Sequence, residues 1–137
     1  MAVLDTNVLL DLRGRSGNAT RAAAEAAIVL LTARNHPLYI TCFTSAELYV
    51  GIHASRKPAE ELRRVESILD QFSILEFTDQ AARRYGSIVS MHRKIGRPME
   101  TIDALIAAVA LAANERILVT RNVRHFERVL GLQIESY

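Results

Sequence analysis

Asp5, Glu47 and Asp103 are the side chains whose types and settings suit carboxylate chemistry. Asp5 ends the short apolar run Ala2-Val-Leu4 and is followed at once by Thr6-Asn7. Asp-Thr-Asn is turn and cap chemistry that ends a strand and opens a helix. A carboxylate is therefore expected at the mouth of a buried strand, the edge where open α/β sheets bind ligands. Asp103 opens the run Ala104-Leu-Ile-Ala-Ala-Val-Ala-Leu-Ala-Ala113, and its face continues through Ile106, Ala107 and Ala110, which points inward. A buried ionised carboxylate has to be neutralised, paired or bound to metal, although a cap role shared with Thr101 stays open. Glu47 has two readings. Thr44-Ser-Ala-Glu47 matches a capping box, in which the glutamate reaches back to the cap amide. As a functional acid it would sit on a face with Val50, Gly51 and Ala54, where small residues imply close packing.

If the three acids converge at about 5 Å from one another, each pair repels by roughly 3 kcal/mol at an effective dielectric near 20. Such a cluster needs a cation, and oxygen-only ligation selects Mg²⁺, with Mn²⁺ as a substitute. His36, His53, His92 and His125 show no metal-ligand spacing and Cys42 has no partner, which argues against zinc. The histidines read as surface or locally bonded residues, Asp11 and Asp79 as surface and cap residues, and Glu100 as a solvent-facing first-turn glutamate. Asn7 stands where a haloacid-dehalogenase phosphatase would carry a second aspartate, so that chemistry is disfavoured.

The elements that must position these acids follow from periodicity and breakers. Asn7–Leu12 reads as a short helix, Arg13-Gly-Arg-Ser-Gly17 as a polar loop, and Ala19–Arg34 as a helix capped by Asn18. Leu38–Phe43 is a strand after Pro37, followed by a helix from Thr44 towards Ser55. Beyond Lys57-Pro58, Ala59–Phe72 resumes helical periodicity, and Ile74–Phe77 is a strand. Thr78 caps a helix to about Lys94, and Gly96-Arg-Pro98 punctuates the chain before a helix over Met99–Asn114. Ile117–Thr120 is a strand, Val123–Val129 a short helix, and Leu132–Glu135 a final strand. Strands alternating with helices of crossover length predict a three-layer α/β/α domain with a mainly parallel sheet.

The 137 residues suffice for a single domain with one buried core, spanning 1–137. The lone Cys42 excludes a disulfide framework and favours a reducing cytoplasm. No basic segment precedes the opening strand, and Ala104–Ala113 is far short of the roughly 20 apolar residues that span a membrane. A formal charge of +2 permits a polyanionic partner without demanding one. Arg121, Arg124 and Arg128, with Arg93-Lys94 and Arg97, are candidates for phosphate contacts or for a solvated face. Half of the residues are hydrophobic, so a helix-mediated dimer or a groove for a partner competes with a simply full core.

Asp5-Thr-Asn, Ser45-Ala-Glu47-Leu, Gly96-Arg-Pro98 with Ile102-Asp103-Ala-Leu-Ile-Ala-Ala, and Thr120-Arg-Asn-Val-Arg-His-Phe126 together resemble the PIN-domain family. The likeness is to the VapC-type toxins of bacterial toxin–antitoxin modules, close to the FitB-like branch, and covers nearly the whole chain. It implies a Mg²⁺-dependent endoribonuclease of the cytoplasm, usually a homodimer, that cuts RNA and is inhibited by a small cognate VapB-like antitoxin. Asp5, Glu47 and Asp103 match the family's acidic metal positions, with Asp5 and Asp103 as direct ligands. At the loop where the family carries a fourth acid this chain offers Asn122 and His125 instead, and Asn122 is either an amide holding a metal-bound water or the N-cap of the following helix. The alternative is a PIN fold that binds RNA or an antitoxin and cuts nothing.

Overall fold

Ala2, Val3 and Leu4 form β1 (Ala2–Leu4), and all three are completely buried. A strand covered on both faces is the core strand of a parallel sheet. β2 (Leu38–Thr41) and β4 (Ile117–Val119) flank it, with β3 (Ser73–Leu75) and β5 (Gln133–Glu135) at the edges, in the order β3-β2-β1-β4-β5. Every pairing is parallel, so the sheet goes beyond the mainly parallel expectation. The computed structural model describes residues 1–14 and 17–137, and the predicted loop over 13–17 lies partly outside the described residues, at Arg15 and Ser16.

Alternation along the strands divides the core into two layers. Ala2, Leu4, Ile40 and Val119 face one way and meet α1 (Thr6–Leu12), α2 (Asn18–Ala33), α3 (Cys42–His53) and α4 (Pro58–Leu69) through Val8, Leu9, Leu31, Leu48 and Val65. Val3 and Leu118 face the other way and meet α5 (Asp79–Lys94), α6 (Thr101–Ala112) and α7 (Val123–Phe126) through Ile88, Ile106 and Phe126. Burying a large apolar side chain contributes about 1.5–3 kcal/mol. In α6, Ala104, Ala107, Ala108 and Ala110 are fully buried, the pattern of a helix covered nearly all round. Among the described residues no helix is long and apolar enough to cross a membrane.

Two expected caps are corrected. β2 stops at Thr41, and the Thr41 hydroxyl accepts from the Thr44 amide at 3.1 Å, so α3 begins at Cys42 and Thr44 lies inside its first turn. Glu47 then falls in the second turn, out of reach of a reciprocal cap bond, and the capping-box reading is lost. Val50 on its face is 68% exposed, so the small residues there do not mark close packing. At α2 the cap position belongs to Gly17, whose φ of 100° suits glycine, and Asn18 is the first helical residue. Thr78 caps α5 as expected, accepting from the Ala81 amide at 3.1 Å.

Candidate active site

The chain leaves β1 for β2 on one side and, after β3, returns through α5 and α6 to β4 on the other. The β1–β4 boundary is therefore the switch point of the sheet, and ligands of such sheets bind just beyond the strand ends there. Asp5 and Thr120 are the residues that follow these two strands. The Asp5 amide donates to the Val119 carbonyl at 3.0 Å, extending the ladder by one bond.

The Asp5 carboxyl is 3% exposed and held by three donors. Oδ1 accepts from the Thr6 amide at 2.7 Å, while Oδ2 accepts from Asn7 Nδ2 and from Thr120 Oγ1, both at 2.7 Å. Burial pushes its pKa from 3.8 up to about 6; the Thr120 and Thr6 hydrogen bonds oppose the rise, and the charges of Asp103 and Glu47 add to it. The three acids singled out in the sequence thus share one electrostatic neighbourhood.

Glu47 joins it through Thr6, whose hydroxyl donates to Oε2 at 2.5 Å. Its side chain reaches the site from the exposed flank of α3. Asp103 lies in the first turn of α6 with 18% of its side chain exposed, and its expected inward face is present in Ile106, Ala107 and Ala110. No side-chain cap bond forms at that helix start, so the cap role is not taken. Instead His125 Nδ1–H donates to Asp103 Oδ2 at 2.6 Å, joining α7 to α6. Asn122 occupies the N-cap position of α7 but makes no side-chain cap bond; its amide N–H donates to Thr120 Oγ1 at 2.9 Å and its side chain is exposed.

A polar network behind Asp5 was not foreseen as functional. Asn7 donates through Nδ2 to Asp5 and, at 3.2 Å, to Thr120 Oγ1; its Oδ1 accepts from the Arg121 amide at 3.2 Å and lies 3.2 Å from the Tyr137 hydroxyl oxygen. Both Nδ2 protons and the Oδ1 oxygen are engaged, which fixes the orientation of the amide. Tyr137 also donates to Asp11 Oδ2 at 2.7 Å, and Arg121 Nε approaches the same oxygen at 3.0 Å. Asp11 is fully buried, which corrects the surface reading. The Tyr137 phenol is held above its ordinary pKa by burial and by the Asp11 carboxylate. Only the Asp-Thr-Asn and Thr120-Arg-Asn runs hinted at this network.

Beside Asp103 opens a cleft of about 350 Å³, walled by His92, Arg97, Pro98, Met99, Glu100, Arg124, His125 and Arg128. Of the candidate phosphate-binding residues, Arg97, Arg124 and Arg128 line it, whereas Arg121 is engaged with Asp11.

The oxygen donors that Asp5, Glu47 and Asp103 offer individually suit a hard divalent cation and not zinc. Among the described residues no three His, Cys, Asp or Glu side chains gather into a group that could hold a metal ion. An ion held through one or two carboxylates, with water completing its shell, fits that open arrangement, and Mg²⁺ binds in this manner.

The family profile of the PIN domain matches residues 2–131. Ribonuclease VapC1 of Haemophilus influenzae is 31% identical over 135 residues, 98% of this chain and 96% of that protein. The tRNA(fMet)-specific endonuclease VapC of Salmonella typhimurium is 33% identical over 98 residues, 72% of this chain and 74% of that one. The crystal structure of VapBC2 from Rickettsia felis bound to a promoter DNA fragment aligns at a TM-score of 0.87 and 26% identity, covering 99% and 98% of the two chains. Profile, sequence and fold agree over nearly the full length, and the chain belongs to the PIN-domain family, among its VapC-type ribonucleases.

Proposed function

We propose that this chain is the toxin of a type II toxin–antitoxin module and hydrolyses RNA phosphodiester bonds at the β1–β4 switch point, with a divalent ion, Mg²⁺ or Mn²⁺, held by Asp5 and Asp103. The observation that carries the reading is the buried Asp5 carboxyl fixed by three donors at the β1–β4 switch point, whose pKa is raised by burial and, to a lesser extent, by the charges of Asp103 and Glu47. A cation offsets that excess negative charge. When bound, such an ion activates water and neutralises charge that builds on the phosphate.

The chain's own residues set the rest of the site. Thr6, Asn7 and Thr120 fix the Asp5 oxygens before any ligand arrives. His125 orients Asp103. Glu47, on the open flank, accepts a proton from the attacking water or helps bind the ion. Asn122, exposed beside Thr120, presents its amide to a water molecule. Arg97, Arg124 and Arg128 face the polyanion from the adjoining cleft.

The antitoxin, a small VapB-like protein, and a second copy of the chain are the proposed partners. Support comes from apolar side chains left in solvent: Val29 and Leu30 on α2, 67% and 50% exposed, and Val50 and Ile74, 68% and 44% exposed. The proposed compartment is the cytoplasm, a reading supported by the lone, unpaired Cys42.

The test is RNA cleavage by antitoxin-free protein with Mg²⁺, Mn²⁺ or EDTA, for wild type and Asp5→Asn. A second reading, a PIN fold that binds RNA or antitoxin without cutting, is favoured by Asn122 standing in place of a fourth acid. It wins if neither metal supports cleavage while both forms bind RNA equally.

A further inference from the structure

Arg121 stands between Thr120, whose hydroxyl donates to Asp5 Oδ2 at 2.7 Å, and Asn122, whose amide N–H donates back to Thr120 Oγ1 at 2.9 Å. Both of its ends are tied to α1. Its amide N–H donates to Asn7 Oδ1 at 3.2 Å, and its Nε lies 3.0 Å from Asp11 Oδ2. Asn7 and Asp11 are four positions apart and so lie one above the other on the same face of the helix. Arg121 therefore runs along one turn of α1, with its backbone on the first residue and its guanidinium on the second.

The grip of Asp11 is firm because that carboxylate has little else. Its side chain is out of solvent, and Oδ2 also accepts from the Tyr137 hydroxyl at 2.7 Å. Among the described residues Oδ1 has no hydrogen-bond partner and Arg121 is the single ion-pair partner of the acid. A charge without water depends on its counter-charge, so this pair is costly to open. The sequence offers Arg121 as a phosphate contact alongside Arg124 and Arg128, and the structure separates it from them. Those two line the cleft beside Asp103, whereas Arg121 does not. An arginine committed through Nε to a buried acid serves the geometry of the chain itself.

We propose that Arg121 is a positioning residue: pinned to Asn7 and Asp11, it clamps the loop after β4 against α1 so that Thr120 meets Asp5 and Asn122 stays beside Thr120. The inference rests on the ribonuclease reading above and adds to it the residue that holds this loop in place. Thr120 Oγ1 is the hub of three hydrogen bonds, with Asp5, Asn7 and Asn122, and all three depend on where the loop lies. A small displacement at a reacting centre slows chemistry far more than it weakens binding. A phosphate contact does the reverse, since it supports RNA affinity and steepens its salt dependence.

The test is cleavage of a structured RNA with Mg²⁺ by antitoxin-free protein, together with RNA affinity in EDTA over a range of salt, for wild type, R121M, D11N/R121M and R124Q/R128Q. R121M is expected to lower kcat by about tenfold or more and to leave RNA affinity and its salt slope as in wild type. R124Q/R128Q is expected to weaken RNA binding and flatten the slope. D11N/R121M neutralises the buried acid that R121M leaves unpaired, so it recovers the stability that R121M loses while kcat stays low. The side-chain ¹H–¹⁵N signals of Asn7, followed in the metal-free ¹⁵N-labelled chain, should move in both Arg121 variants and stay in place in R124Q/R128Q. Wild-type kcat in D11N/R121M, a flattened salt slope in either Arg121 variant, or unmoved Asn7 signals overturns the proposal. Moved Asn7 signals in a chain whose wild type never cleaves RNA would instead sink the enzymatic reading and leave the clamp standing.

Discussion

Thr120 Oγ1 donates to Asp5 Oδ2 at 2.7 Å across 115 positions of sequence. The bond exists because β1 and β4 are neighbours, so the residues that follow them meet at one lip of the sheet. It also ties the position of the carboxylate to its proton affinity, since a donated hydrogen bond favours the charged form.

Thr120→Val removes that donor and the acceptor used by Asn7 Nδ2 and the Asn122 amide. A loss of about 1–3 kcal/mol of stability is expected in urea denaturation. With one stabilising bond gone, the Asp5 pKa rises above about 6. The acidic limb of the pH–cleavage profile should therefore move to higher pH, which a merely structural loss would not produce.

Asp5 also makes the metal-free protein pH-sensitive. Its folded pKa of about 6 exceeds the ordinary 3.8, so folding favours the protonated acid. The stabilising contribution is full below 3.8 and is lost as pH rises through about 6. At its limit the loss is on the order of 3 kcal/mol. The stability difference between Asp5→Asn and wild type should move in favour of the variant between pH 4 and pH 7. Added Mg²⁺ at pH 7 should raise the Tm of wild type alone, because binding to the native state stabilises it.

Tyr137→Phe deletes the hydroxyl that donates to Asp11 and packs 3.2 Å from Asn7 Oδ1. Asp11 is fully buried and keeps only Arg121, so a cost of about 1–3 kcal/mol follows. Asn7 loses that contact and Asp5 is held less firmly, so cleavage should fall more than RNA binding. Paired measurements of both quantities check this.

Phe126→Ala empties a fully buried site under α7, which carries Arg124 and His125. Truncating a buried phenylalanine costs about 3–5 kcal/mol. Thermal unfolding should show that loss, and the ¹⁵N signal of His125 should report the weakened bond to Asp103.

The elements were legible wherever a local signal was strong: the cap at Thr78, the alanine-rich α6, and the apolar runs of β1 and β4. The helix α3 was expected, but two residues late, because Thr41 and Thr44 are equally good caps on paper. In the site, Asp5 and Asp103 stood out through their settings at a strand end and on an apolar helix face. Asp11 and Tyr137 did not, because their importance comes from tertiary burial: a tyrosine at position 137 reaching Asp11 leaves no periodic trace. The switch point itself required the strand order, which spacing along the chain does not encode.

The central claim is that Asp5 and Asp103 hold a divalent ion that RNA cleavage requires. Its most direct test is the single-turnover cleavage rate of structured RNA by antitoxin-free protein, with Mg²⁺ and with EDTA, for wild type, Asp5→Asn and Asp103→Asn. The account predicts cleavage by wild type with Mg²⁺ alone and a loss of about 100-fold or more in each variant, the scale of electrostatic contributions at reacting centres. Equal rates in EDTA, or wild-type rates in either variant, would contradict it.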